Sequence, residues 1–312
     1  MRVVVLSGGV GGSRLVEGLA AIGGKQLTVL VNTADDTDYY GLHVSPDLDT
    51  NLYVLAGIVN PQRGWGVMDE RWTVEEQLKR LGEHPWFHVG DRDLATHLIR
   101  TAALHAGHFL SEVTADLCRR LGVESRLIPM TDDPVQTFLL CEGEWLPFQE
   151  YFVHRQAAPL VRAVAYRGSE HARPVEAALR ALEAADLIVF APSNPYTSLL
   201  PILAVSGYRE VIRNKLVFAV SPLIGGQAVK GSLAAMLGSL AGEVSLRALF
   251  DLYGDIVDGW LVDPVDMEEA RASFEGVVAC EPLLLTTHAD RVRVAQRLLQ
   301  LANPLKERED RG

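Results

Sequence analysis

Short, wholly apolar runs alternate along this chain with longer segments whose apolar residues recur every three or four positions, a rhythm that predicts parallel strands joined by helices. In the first unit, Val3-Val4-Val5-Leu6 runs uninterrupted, SGGVGGSRL breaks it, and an amphipathic segment continues to Ile22 before Gly23-Gly24 closes it. A second apolar strand, 27–31, enters an acidic stretch. Pro46-Asp47 then marks a helix start, with Leu48, Leu52, Leu55 and Val59 spaced for one buried face. Thr73 and Glu76 fit the capping box of a short helix ended by Gly82. Asp91 opens a further helix with Leu94, Leu98, Ile99 and Ala102 on its expected buried side.

After a helix over 111–122 the pattern changes. Residues 125–170 alternate apolar and polar positions and turn at Glu142-Gly143 as a hairpin would, which predicts an inserted subdomain or cap. From Pro174 the α/β rhythm returns, with DLIVFAPSNP, LVFAVSPLIGGQAVKGS, GWLVD and VVACEPLLL as strands and a last helix from Asp290 to Leu301. Lys306 to Gly312 reads as a polar tail. The expected fold is a single large α/β domain over 1–312: a Rossmann-like doubly wound, mostly parallel sheet with a smaller β-containing insertion.

Composition narrows the function. A net charge of −11 argues against a general nucleic-acid or membrane-surface binder, both of which need a basic face. Cys118, Cys141 and Cys280 are far apart, so neither a disulfide framework nor a zinc site is suggested. The apolar start lacks the pattern of a secretory signal and no run is long enough for a bilayer span, which predicts a cytoplasmic protein. An apolar fraction of 48% is compatible with a homodimer.

Chemistry concentrates in VNTADDTDYYGLHVSPDLDTN, 31–51. Asp35, Asp36 and Asp38, then Asp47 and Asp49, repel one another unless a cation sits among them, and Mg²⁺ suits an all-oxygen set. Upstream, Gly8, Gly9, Gly11 and Gly12 allow close backbone approach, and the amides of the following helix start favour a phosphate. The motif matches neither a P-loop nor a dinucleotide fingerprint, because Arg14 stands where the last glycine belongs. Two more small-residue loops, 191–197 and 221–232, follow strands, so the three gather at one sheet edge. There Ser193 and Asn194 suit a base or ribose, while Ser221, Gly225, Gly226 and Lys230 suit phosphates. Arg92, a cation in a helix's first turn, is better explained by a ligand or a carboxylate than by the helix dipole.

These stretches, together with GWG, GDRDLATHLIRT, IPMTDDPVQT and FQEYFV in collinear order, resemble the 2-phospho-L-lactate transferases of coenzyme F420 biosynthesis, CofD in archaea and FbiA in actinobacteria. The resemblance implies Mg²⁺-dependent transfer of a phospholactate, phosphoenolpyruvate or phosphoglycerate group from its GDP-linked form to the ribityl hydroxyl of the deazaflavin Fo, with release of GMP. It implies deazaflavin contacts at Asp49 and Arg92, and ligand contacts at Asn32, Thr33, Thr50 and Asn51 beside the loops already named. On this reading Asp49, Asp36 and Arg92 are catalytic, and Asp35, Asp36 and Asp49 hold the metal. Tyr196 and Ser232 depart from the family pattern and touch nucleotide specificity. The rival reading is a YvcK-like nucleotide-sugar-binding regulator without transferase activity. A Rossmann-like reductase lacks its fingerprint here.

Overall fold

The computed structural model describes residues 1–229 and 231–309, with backbone alone described for 304–309. Seven strands form a parallel sheet: β1 (Val3–Ser7), β2 (Leu27–Val31), β3 (Arg126–Pro129), β4 (Leu187–Phe190), β5 (Val217–Val220), β6 (Gly259–Val262) and β7 (Val277–Cys280). Their spatial order is β3-β2-β1-β4-β5-β6-β7, the doubly wound arrangement the apolar runs predicted. The runs lack alternation because both faces are covered. Val4, Leu6 and Ile188 enter one core; Val3, Val5 and Val189 enter the other.

β1 lies between β2, with Val3 opposite Leu27, and β4, with Val3 opposite Leu187. The order reverses there. The loops leaving β1 and β4 therefore diverge and open a crevice. From β1 the chain enters α1 (Gly9–Gly23), whose outer side packs on the C-terminal helix His288–Glu309. The helices cross so closely that a Cβ on Gly18 would lie 2.1 Å from the Arg291 carbonyl oxygen. The tail expected from Lys306 is helical through Glu309, and its last three residues lie outside the described residues.

Within the segment where a hairpin was expected, strands 136–141, 144–147 and 161–167 form a separate antiparallel sheet. Arg126–Pro129, at its beginning, belongs instead to the central sheet. α2 (Pro46–Leu55) is shorter than its apolar spacing suggested, because Val59 has left the helix and bridges Val67.

Two neighbouring helices, α3 (Thr73–Arg80) and α4 (Asp93–His105), exchange their capping groups. No capping box forms on α3: Asp91 accepts from the amides of Thr73 and Val74 at 3.1 and 3.0 Å. Glu70 accepts in turn from the amides of Arg92 and Asp93 at 2.7 and 3.1 Å, at the start of α4. α4 is also inverted relative to its apolar pattern. Leu98, Ile99 and Ala102 are exposed, while Asp93, Thr96, His97, Arg100 and Thr101 are buried. Its inward face is polar because it packs against the acidic start of α2. Among the described residues, no helix is long and apolar enough to cross a membrane.

Candidate functional site

A cavity of about 610 Å³ opens where the sheet order reverses, lined from both halves of the chain. Of the expected residues, Gly8, Gly9, Gly11, Asp35, Asp49, Thr50, Ser193, Asn194 and Ser221 line it. The glycines serve chiefly the protein's own packing. A Cβ on Gly11 would sit 2.5 Å from the Pro192 carbonyl, and one on Gly12 would sit 2.4 Å from Ser193 Oγ. The first amides of α1 are engaged too: Gly9 donates to Asp47 Oδ1 at 2.5 Å and Gly8 to Ser193 Oγ at 3.2 Å. A protein carboxylate thus sits where the sequence suggested a phosphate.

Asp47 and Asp35 form the first acidic group. Asn32, buried behind them, donates to Asp35 Oδ1 at 3.2 Å and Asp47 Oδ2 at 3.0 Å, and reaches the Thr197 carbonyl at 3.1 Å. Burial raises Asp35 well above the usual carboxylate range, and the charges of Asp47 and Asp36 add to this. Asp47 rises to about 6, again mainly through burial, against the hydrogen bonds from Asn32 and Gly9. Two carboxylates so placed favour a proton or a metal ion between them.

Asp49, only two residues on, belongs to a second group. Arg100, buried in α4, grips both its oxygens, one through Nη1 at 3.0 Å and the other through Nη2. His97 lies between Asp49, 3.6 Å from Nδ1, and Asp93, 3.4 Å from Nε2. Tyr53 donates to Asp93 Oδ1 at 2.5 Å. Burial and the charges of Asp49 and Asp93 push the Tyr53 hydroxyl well above its ordinary range, so it stays a donor. Asp93 is held low by His97 and Tyr53, although burial works in the other direction.

The structure places several of the expected residues away from the cavity. Asp36 does not line the cavity: its Oδ2 is bound by His43 Nε2 at 2.9 Å and Ser45 Oγ at 2.8 Å. Arg92 is exposed and outside the cavity, because the cap from Glu70 fixes its backbone while its Nη1 donates to the Met68 carbonyl at 3.0 Å. Asn32, Thr33, Asn51 and Gly12 are buried behind the cavity wall. Gly225 and Gly226 turn their amides to Asp266, Gly225 at 3.0 Å, and neither lines the cavity. Lys230 lies outside the described residues.

Other lining residues were not singled out from the sequence. Arg14, Arg63, Asp93 and His97 are polar members; Trp65, Phe87, Phe148 and Phe152 give an aromatic side. Phe148 and Phe152 stack with centroids 5.3 Å apart. For His97 and Arg100 a signal did exist: with Asp93 they recur at helical spacing and share one face.

The sequence matches the family described as 2-phospho-L-lactate transferase CofD over residues 3–296. It is 41% identical to a phosphoenolpyruvate transferase of Thermobifida fusca, covering 99% of this chain and 100% of that one. It is 36% identical to a 2-phospho-L-lactate transferase of Methanocaldococcus jannaschii, covering 97% and 99%. In three dimensions it resembles a solved UPF0052-family protein of Bacillus halodurans, with a TM-score of 0.62, 19% identity, and coverage of 95% of this chain and 98% of that one. That likeness concerns the fold.

Proposed function

The chain belongs to the 2-phospho-L-lactate transferase CofD family, and from that premise we propose that it transfers a three-carbon phospho-acid from a GDP-linked donor to the ribityl hydroxyl of Fo, releasing GMP, in coenzyme F420 biosynthesis. The observation that carries this reading is the cavity at the sheet's reversal, in which a paired acidic group, a separately anchored aspartate and an aromatic side meet. Its volume falls in the range of about 300–1,000 Å³ common for small-molecule sites.

The reaction forms one P–O bond, from the acceptor hydroxyl to the phosphorus bearing the three-carbon acid, and breaks the diphosphate P–O bond to GMP. The hydroxyl proton passes to Asp49 and from there to solvent as the new bond forms. Little covalent work falls to the protein; positioning and charge neutralisation dominate. Asp35 and Asp47 suit Mg²⁺, since both are raised carboxylates facing the same space. When bound, Mg²⁺ would neutralise charge on the phosphate oxygens.

Asp49 takes the acceptor side. Arg100 fixes the plane of its carboxylate, yet each oxygen keeps a second lone pair to accept from the ribityl hydroxyl. The aromatic side suits the flat deazaflavin, while Ser193, Asn194 and Ser221 offer hydrogen bonds to the guanosine.

Incubation with Fo, Mg²⁺ and each of the three guanylylated acids, followed by mass analysis of the deazaflavin, tests the reading. One acid should yield the phosphodiester together with GMP. Absence of product from all three, with no Fo binding, would sink it.

A further inference from the structure

Two guanidinium groups on the cavity wall are left unmatched by the rest of the protein. Among the described residues, neither Arg14 nor Arg63 makes an ion pair or a side-chain hydrogen bond. Yet the chain carries a net charge of −11, and Asp35, Asp47 and Asp49 share the same cavity. Glu17, whose charge reaches Arg14, is held by Arg291 and by His288 Nδ1 at 2.9 Å.

The two arginines belong to one wall. Arg14 follows Val10 by four residues on α1, which puts both on the same helix face, and both line the cavity. Gly64 presses on Val10 so closely that a Cβ would fall 2.6 Å from Val10 Cγ1, at a φ of 77°. The loop carrying Arg63 is thereby seated on the start of α1.

The setting of Arg63 indicates what it binds. Its guanidinium carbon lies 4.6 Å from the ring centre of Trp72 and 5.3 Å from that of Trp65. Such contacts occupy the faces of a guanidinium and leave its in-plane N–H groups for a planar, two-oxygen partner. The transferred acid offers one. Its phosphate lies with the Asp35–Asp47 pair in the reading above, whereas its carboxylate has no counter-charge among the residues assigned so far.

Building on that reading, we infer that Arg14 and Arg63 form a carboxylate-binding subsite that recognises the acid group of the transferred three-carbon unit. A ligand lacking that carboxylate gains nothing from either arginine.

The test takes each of the three guanylylated acids, and for the one consumed compares it with its carboxylate methyl ester as donors to Fo, for the unaltered chain and for Arg14→Gln and Arg63→Gln, with GDP binding measured by calorimetry. The unaltered chain should prefer the free acid by about tenfold or more in kcat/KM, as expected for a charge-assisted bidentate contact. Each variant should lose most of that preference and bind GDP within about twofold of the original, a difference of only about 0.4 kcal/mol. Variants that keep the preference overturn the inference alone, as does a loss of GDP affinity equal to the loss of turnover, which would make the pair a diphosphate clamp. Consumption of none of the three guanylylated acids by the unaltered chain instead overturns the transferase reading.

Discussion

Arg100 is almost wholly buried, and its charge is balanced by Asp49 with support from the carbonyl of His43 at 3.4 Å. Removing one partner of a buried ion pair strands the other, at a cost of roughly 3–5 kcal/mol. Asp49→Asn and Arg100→Leu should each destabilise by that order in urea titrations, while the double substitution recovers part of the loss; single costs below about 1 kcal/mol would refute the pairing. Asp47 makes a different prediction. Its carboxyl titrates near 6 rather than 3.8, so the folded protein holds that proton more tightly than the unfolded chain. Stability from this group therefore falls as pH rises between about 4 and 6 and stays reduced above, by about 3 kcal/mol. A cation in place of the proton offsets the loss. Thermal melts should show MgCl₂ raising Tm more at pH 8 than at pH 5, and an equal rise at both would speak against Asp35 and Asp47 as the metal pair. At this scale the sequence was only partly legible. It singled out Asp49 and Asp35, but it favoured Arg92, whose place is decided by Glu70 from another segment. Arg100, eight positions along the same helix, was hidden because apolar spacing drew attention to the opposite face.

The exchange of caps between α3 and α4 ties a loop to the cavity. Glu70 needs the space beside Gly90, where a Cβ would lie 2.0 Å from Glu70 Cγ. Losing a helix cap costs about 0.5–2 kcal/mol. Glu70→Ala should therefore lower stability by about 1 kcal/mol in a urea titration, and Gly90→Ala by at least as much. Because α4 carries Asp93, His97 and Arg100, Glu70→Ala should also reduce turnover although Glu70 does not touch the cavity. Unchanged stability and rate together would show that the cap contributes nothing. Local sequence rules point to a Thr73–Glu76 box; the group that won came from Asp91, eighteen residues after Thr73, and no local window contains it. Strands fared better. A run buried on both faces leaves an apolar signature, as in β1, β2, β4, β5 and β6, whereas β3, which opens on exposed Arg126, reads from sequence as part of the insertion.

At the scale of the whole molecule, the crevice exists because β1 is clasped by β2 on one side and by β4, from far along the chain, on the other. The doubly wound order was legible because strands alternating with helices leave few topologies open. The pairing of distant loops into one cavity was visible only as a convergence of small-residue turns. The clasp also bears on the order of events in folding. A contact from Val3 to Leu187 closes a very long loop, and such closures are slow and late. Nothing that binds in the crevice can recognise the chain until β4 has docked. Ligand present during refolding should therefore leave the refolding rate unchanged and slow unfolding instead, as stopped-flow fluorescence with and without GDP and Mg²⁺ would reveal. A ligand-accelerated refolding phase would place the docking of β4 early. A ribosome-bound chain that has not yet exposed β4 would then hold half a binding site, with β1 still an open edge awaiting its second neighbour.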